Sequence, residues 1–276
     1  MKISQSSWKK YVEKLSKINK SAAEQVKQYI KSSGIDLTGD VSSLISYCYG
    51  ISTAYGEAAA TLAAEMYDTV AYLEGANVAA AELADTATYP EVAKTVNGII
   101  KNTGGSTDTI ANGIGRLVKM AGTDTILMNA ARDEDYFGAA DYVEDMRGKR
   151  TKKGGGSHHK HSGAEVAWIP SGDSCPFCLM LASRGWQKQT EWAAGSHSEH
   201  IHANCDCTYA VRFRSTSAIE GYEENEYKEM FDQIPDRTWR GKRNALRRAQ
   251  YEQEKDRINA QKRAAYARRK EQQSTE

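Results

Sequence analysis

Cys175-Pro176-Phe177-Cys178 and, further along, His202-Ala203-Asn204-Cys205-Asp206-Cys207 decide how this chain is read. Four of its five cysteines and three of its six histidines fall between Cys175 and Cys207. A Cys-x2-Cys pair followed by His-x2-Cys-x-Cys offers thiolate and imidazole donors from two separate turns. That is the donor set of a tetrahedral metal site, and zinc is the metal such ligands select. Five groups, Cys175, Cys178, His202, Cys205 and Cys207, compete for the four positions of a closed structural zinc site. Cys175, Cys178 and Cys205 take three, and His202 and Cys207 are rivals for the fourth. His197 and His200 fit an outer shell or the surface.

Other chemistries fit the window less well. Met1 is followed by no apolar leader stretch, so a reducing cytosol is the expected compartment and disulfides would not persist there. A thioredoxin-type redox pair needs a low-pKa thiolate at a helix N-terminus. Asp173 or Ser174 capping a helix through Ala182, stopped by Gly185, would supply that terminus, but no βαβ pattern surrounds it. In a zinc deaminase His-x-Glu precedes Pro-Cys-x2-Cys. Here His197-Ser198-Glu199 follows the pair and Pro176 lies inside it, so the order is wrong.

The run from Ala167 to Cys178, Ala167-Trp168-Ile169-Pro170-Ser171-Gly172-Asp173-Ser174-Cys175-Pro176-Phe177-Cys178, continues through Leu181-Ala182-Ser183-Arg184-Gly185 to His202-Ala203-Asn204-Cys205-Asp206-Cys207. Together these motifs resemble the phage minor capsid and head morphogenesis proteins of the phage Mu F-like family. The resemblance implies a minor virion component of a tailed phage, built into the head at or near the portal vertex. It implies contacts with portal and major capsid proteins, and a place in the phage head after synthesis in the host bacterial cytoplasm. His200 beside His202 departs from the single histidine usual in that family.

Outward from the window, the chain reads as helix. Trp8, Tyr11, Val12, Leu15, Ile18, Ala22, Val26, Tyr29 and Ile30 recur at spacings of three and four among Lys and Glu, which predicts an amphipathic helix over 2–33 ending at Gly34. A second helix is expected from Val41 to Leu73, with Cys48 as a small buried hydrophobe. Its Ala58–Ala64 segment permits close approach, which suggests a hairpin with the first helix. From Ala76 to Gly148 short helices joined by glycine-containing turns are expected, including Ala79-Ala80-Ala81-Glu82-Leu83. Gly113-Ile114-Gly115-Arg116 lacks the strand and Gly-Lys-Ser/Thr of a phosphate loop and reads as a helix irregularity. Asn129, Arg132, Asp133, Asp135 and Tyr136 read as a solvated face.

Residues 148–163 are basic and rich in Gly and His, as in a linker or exposed loop. Glu165–Ile169 and Thr208–Phe213 alternate as strands and bracket the cysteine window, so an antiparallel pair should close it. From Asp236 to Glu276 there are 13 Lys and Arg against 6 Asp and Glu, while the rest of the chain has 24 against 30, so the formal net charge of +1 hides a basic tail. The tail's Trp239, Leu246, Tyr251, Ile258 and Tyr266 make a thin apolar stripe on a charged helix that orders against a partner. Mean hydropathy of −0.65 and the lack of any long apolar run argue against membrane insertion.

The expected fold is mainly α. It comprises a helical domain over 1–147, the 148–163 linker, a zinc-stabilised α+β module over 164–214 and a charged helical or partly disordered tail over 215–276. The expected role is a structural or morphogenetic phage head protein with a structural Zn2+. It is not an enzyme, takes no small-molecule substrate, and contacts packaged DNA through the tail. The rival is a zinc-stabilised DNA-binding or nuclease-like protein. No paired carboxylates near the histidines favour it, and Glu199 is the one acid to test.

Overall fold

The computed structural model describes residues 2–103, 105–135, 142–144, 150–152, 163–171, 176–189 and 207–234, with isolated positions between 241 and 259. The described chain is mainly helical. Strand β1 (Lys2–Ile3) leads into α1 (Gln5–Ser33), α2 (Ser42–Glu74), α3 (Tyr89–Thr103) and α4 (Thr107–Arg132). Strands β2 (Tyr142–Glu144), β3 (Arg150–Lys152) and β4 (Glu165–Ile169) follow, then α5 (Pro176–Ala182), β5 (Thr208–Arg212), β6 (Ala218–Ile219) and α6 (Glu224–Asp232). No described helix is long and apolar enough to cross a membrane.

Helix α1 begins where the Ser4 hydroxyl accepts the Ser7 amide at 3.2 Å and ends at left-handed Gly34, φ 62°. It buries Trp8, Tyr11, Val12, Leu15, Ala22, Val26 and Ile30, most of the expected stripe. The α1–α2 hairpin forms: Tyr29 and Tyr47 stack with centroids 3.9 Å apart, and the Tyr47 hydroxyl donates to Gln25 Oε1 at 3.3 Å. Cys48 is fully buried, and burial pushes its thiol up to about 12.

Helix α4 departs from the sequence expectation. It runs unbroken for 26 residues, through Gly113, Gly115 and Gly122, where short helices joined by glycine-containing turns were expected. The reason is close packing: a Cβ on Gly113 would lie 2.6 Å from Ile99 Cδ1 of α3, one on Gly115 3.4 Å from the Asn19 carbonyl oxygen of α1, and one on Gly122 3.1 Å from the Ala59 carbonyl oxygen of α2. The alanine-rich part of α2 thus packs closely on α4 where Ala59 faces Gly122. Gly122→Val is expected to cost about 2–3 kcal/mol in urea unfolding, since backbone blocks the new side chain. Gly113→Ala should stay within about 1 kcal/mol, because Ile99 can rotate and helix propensity favours Ala.

Residues 76–88 form a strap without helix or strand, despite the helical reading of Ala79–Leu83. Side chains of α2 and α4 satisfy its backbone. Ala81 N donates to Asp68 Oδ1 at 2.8 Å, Glu82 N to Asn129 Oδ1 at 2.9 Å and Ala84 N to Thr125 Oγ1 at 3.1 Å. Asn129 Nδ2 returns a bond to the Glu82 carbonyl at 2.8 Å, and Arg132 donates to the carbonyls of Ala79 (2.9 Å) and Ala80 (3.1 Å). Arg132 also pairs with Asp133 at 2.8 Å, and Asp133 accepts the Tyr67 hydroxyl at 2.8 Å. Asn129, Arg132 and Asp133 are therefore the strap's anchor; Asp135, exposed and paired with Lys188 at 2.8 Å, does lie on the surface. Tyr136 lies outside the described residues.

The expected antiparallel pair is present, with Glu165 opposite Arg212, Trp168 opposite Tyr209 and Ile169 opposite Thr208. Gln187 returns to the other side of β4, exchanging hydrogen bonds with Val166 at 2.8 and 3.0 Å. Strands β1 and β6 pair in parallel, joining the start of the chain to residues 218–219. Part of the expected 148–163 linker is strand, since Arg150–Lys152 pairs antiparallel with Tyr142–Glu144. One hydrophobic cluster joins Tyr67 and Val70 of α2 and Ile126 of α4 to Trp168, Leu181, Tyr209, Phe213 and Phe231, so buried packing runs across residue 147. Described tail positions such as Asn244, Arg248, Glu252 and Lys255 are helical.

Candidate metal centre

Helix α5 opens on Pro176, whose fixed φ suits a first helical turn, and the turn after it closes at Gly185, φ 67°. Met180, Leu181 and Ala182 press the helix onto the β4–β5 pair. This places Cys178 inside the protein, 1% exposed. Cys207 immediately precedes β5 and is fully buried in the same cluster. Because Ile169 pairs with Thr208, the chain beyond β4 runs past Cys207, and the Ser171 amide donates to Cys207 Sγ at 3.3 Å.

Both thiols are free of disulfide. Burial pushes the Tyr209 hydroxyl well above its ordinary range; Arg184 opposes this, while the charges of Asp124 and Cys178 reinforce it. Tyr227 is shifted the same way by burial, then by Glu226 and Cys207. An amide directed at sulfur favours the ionised thiol, the form that ligates metal. Cys178 and Cys207 are thus two candidate sulfur donors in one buried cluster. A zinc ion held there would cross-link α5 to the start of β5.

Cys175, His202 and Cys205 lie outside the described residues, as do His197, His200, Glu199 and the expected caps Asp173 and Ser174. Among the described residues no group of three or more His, Cys, Asp or Glu gathers as a metal set. Of the five expected ligands the described residues include Cys178 and Cys207, both buried in the same hydrophobic cluster.

Two carboxylates near this core were not singled out by the sequence reading. Glu74, 1% exposed at the end of α2, accepts the amides of Phe213 at 2.7 Å and Arg214 at 2.9 Å, and so fixes the exit of β5. The only sequence signal is an acid where a helix C-terminus disfavours negative charge, before left-handed Gly75. Asp124 of α4 is the second: burial, then the Glu91 charge, pushes its carboxyl from 3.8 up to about 6. The folded form binds this proton more tightly, so the contribution is fully present below about pH 4 and lost as pH rises through about 6. Asp124→Asn should therefore stabilise the protein by about 1–2 kcal/mol at pH 7 and leave it unchanged near pH 4. Urea titrations at the two pH values check this.

A family model described as VG15 protein matches residues 2–234. No curated protein and no solved structure matches the chain.

Proposed function

The chain belongs to the VG15 protein family, a viral family, and from that premise we propose that it is a minor structural protein of a tailed-phage head, incorporated at or near the portal. The observation that carries this reading is the run from Ala167 to Cys207, with its resemblance to phage Mu F-like minor capsid proteins, inside the matched residues 2–234. The description of the family names no enzymatic activity.

In this reading Cys175, Cys178, Cys205 and Cys207 hold a structural zinc, with His202 outside the ligand set. The amide of Ser171 on Cys207 Sγ supports Cys207 for the fourth place. When bound, the ion supplies binding free energy that becomes folding free energy for a segment whose own core is small. The chain's residues do the rest: β4, β5 and Gln187 fix the ends of the window, Glu74 ties β5 to α2, and the strap anchors keep α2 and α4 in register. The outcome is a rigid surface for portal or inner capsid contacts, with the basic tail available to packaged DNA through phosphate attraction.

Quantitative mass spectrometry of density-purified virions tests the reading. A fixed, low copy number per particle, retained after the DNA is released in vitro and the shells are washed in high salt, is expected. Absence from intact particles, with the protein confined to the infected-cell extract, would overturn it.

A further inference from the structure

Helix α2 carries an outward stripe unlike an ordinary solvent face. Ala54, Ala58, Thr61, Glu65 and Tyr72 recur at helical spacing, all exposed. They span about 27 Å at 1.5 Å per residue. Tyr72, 84% exposed, is the most exposed large apolar side chain described, and its neighbour Leu73 and Leu83 of the strap are each 51% exposed. Small side chains along the middle of the stripe let another helix approach closely, and Tyr72 offers an aromatic anchor at one end.

The charge around the stripe says what kind of partner fits. Between Lys31 and Lys94 the chain has nine Asp and Glu and no Lys or Arg. Several of these acids are engaged internally, among them Glu74 and Asp68, but Glu57 and Glu65 stand exposed on α2. A complementary surface is a helix with a thin apolar stripe flanked by Lys and Arg. Residues 236–276 have that composition, with 13 Lys and Arg against 6 Asp and Glu and the apolar side chains Leu246, Tyr251 and Ile258. The described positions there are helical, and Arg248 and Lys255 are exposed.

We propose that the outward stripe of α2 is the docking face for the basic C-terminal segment of a second copy of this chain. The contact is heterologous, head to tail, so it extends from copy to copy until a ring closes. Opposite charge steers and registers it, and the apolar stripe holds it. It is independent of the metal centre and of the virion reading.

Sedimentation velocity on the full chain tests the proposal. At 50 mM salt association should rise with protein concentration, and it should weaken at least about tenfold at 500 mM as the charges are screened. Glu57→Lys with Glu65→Lys should weaken it about tenfold or more at low salt. Adding Arg247→Glu and Arg248→Glu to that chain should restore it. Ala58→Trp, which blocks close approach without changing charge, should also weaken it. Circular dichroism matching the parent shows that each variant folds. A chain that stays monomeric at every concentration in low salt, or association indifferent to the α2 variants, overturns the proposal. Failure of the charge exchange to restore association excludes the C-terminal segment as occupant and overturns it too.

Discussion

Cys207→Ser should reduce bound zinc from one per chain to a small fraction and lower the midpoint of urea unfolding sharply. Apparent binding free energies for structural zinc in small peptides are about 10–16 kcal/mol at neutral pH, so losing one thiolate from a four-ligand site removes several kcal/mol of folding free energy. The hydroxyl of serine is a poor substitute for sulfur toward zinc, and the change removes the sulfur to which the Ser171 amide donates at 3.3 Å. Cys178→Ser should behave alike. Cys48→Ser separates ligation from packing, because Cys48 is equally buried but sits between α1, α2 and α3. It should cost about 1–2 kcal/mol from burying a hydroxyl and leave the zinc content unchanged. Equal losses of stability in all three variants, with the same metal content, would contradict a ligand role for Cys207. His202→Ala decides the fourth position: zinc should be retained, and its loss would put His202 in place of Cys207.

Glu74→Ala should destabilise the protein by about 3 kcal/mol and lower Tm by about 6–12 °C. The carboxylate is 1% exposed and its Oε2 accepts two amides, from Phe213 at 2.7 Å and Arg214 at 2.9 Å. Alanine leaves both donors without that acceptor and opens space beside Tyr67 and Phe213, whose rings meet edge-on at 5.4 Å. Glu74→Gln keeps an oxygen acceptor of the same reach and should cost about 1 kcal/mol. Because the contact joins the end of α2 to the end of β5, the alanine variant should also loosen the cysteine window, seen as faster alkylation of Cys207 in the metal-free protein. A change below about 0.5 kcal/mol on Glu74→Ala would show that solvent replaces the clamp at no cost.

Much of the fold was legible because local periodicity and tertiary packing agree. The stripe from Trp8 to Ile30, the αL stop at Gly34 and the alternation in Glu165–Ile169 and Thr208–Arg212 each specify one element, and each element forms. Where the reading failed, long-range contacts outweighed local preference. Short helices joined by glycine-containing turns were expected, but α4 continues through Gly122, where the Ala59 backbone of α2 would lie 3.1 Å from a Cβ. Ala79–Leu83 has helical propensity, a weak preference of tenths of a kcal/mol per residue, and the strap instead gains paired backbone groups from Asp68, Thr125, Asn129 and Arg132. Polarity at Asn129 and Asp133 read as solvent exposure because nothing local reveals a backbone segment 47 residues before Asn129 in need of partners.

The candidate centre was legible as chemistry sooner than as geometry. The cysteine spacing named five candidate ligands, of which the described residues include Cys178 and Cys207, both buried in one hydrophobic cluster. The spacing could not show that β4 and α2 position them: the register that brings Ser171 onto Cys207, and Glu74 reaching from α2 to the end of β5, are properties of the folded chain.

The most direct test of the central claim, that these cysteines hold a structural metal, is X-ray absorption at the zinc edge on protein purified without added metal, paired with elemental analysis. One zinc per chain with four sulfur neighbours at about 2.3 Å is the expected result. Protein that contains no zinc and yet unfolds in one cooperative transition, unchanged by a strong chelator, would contradict the claim.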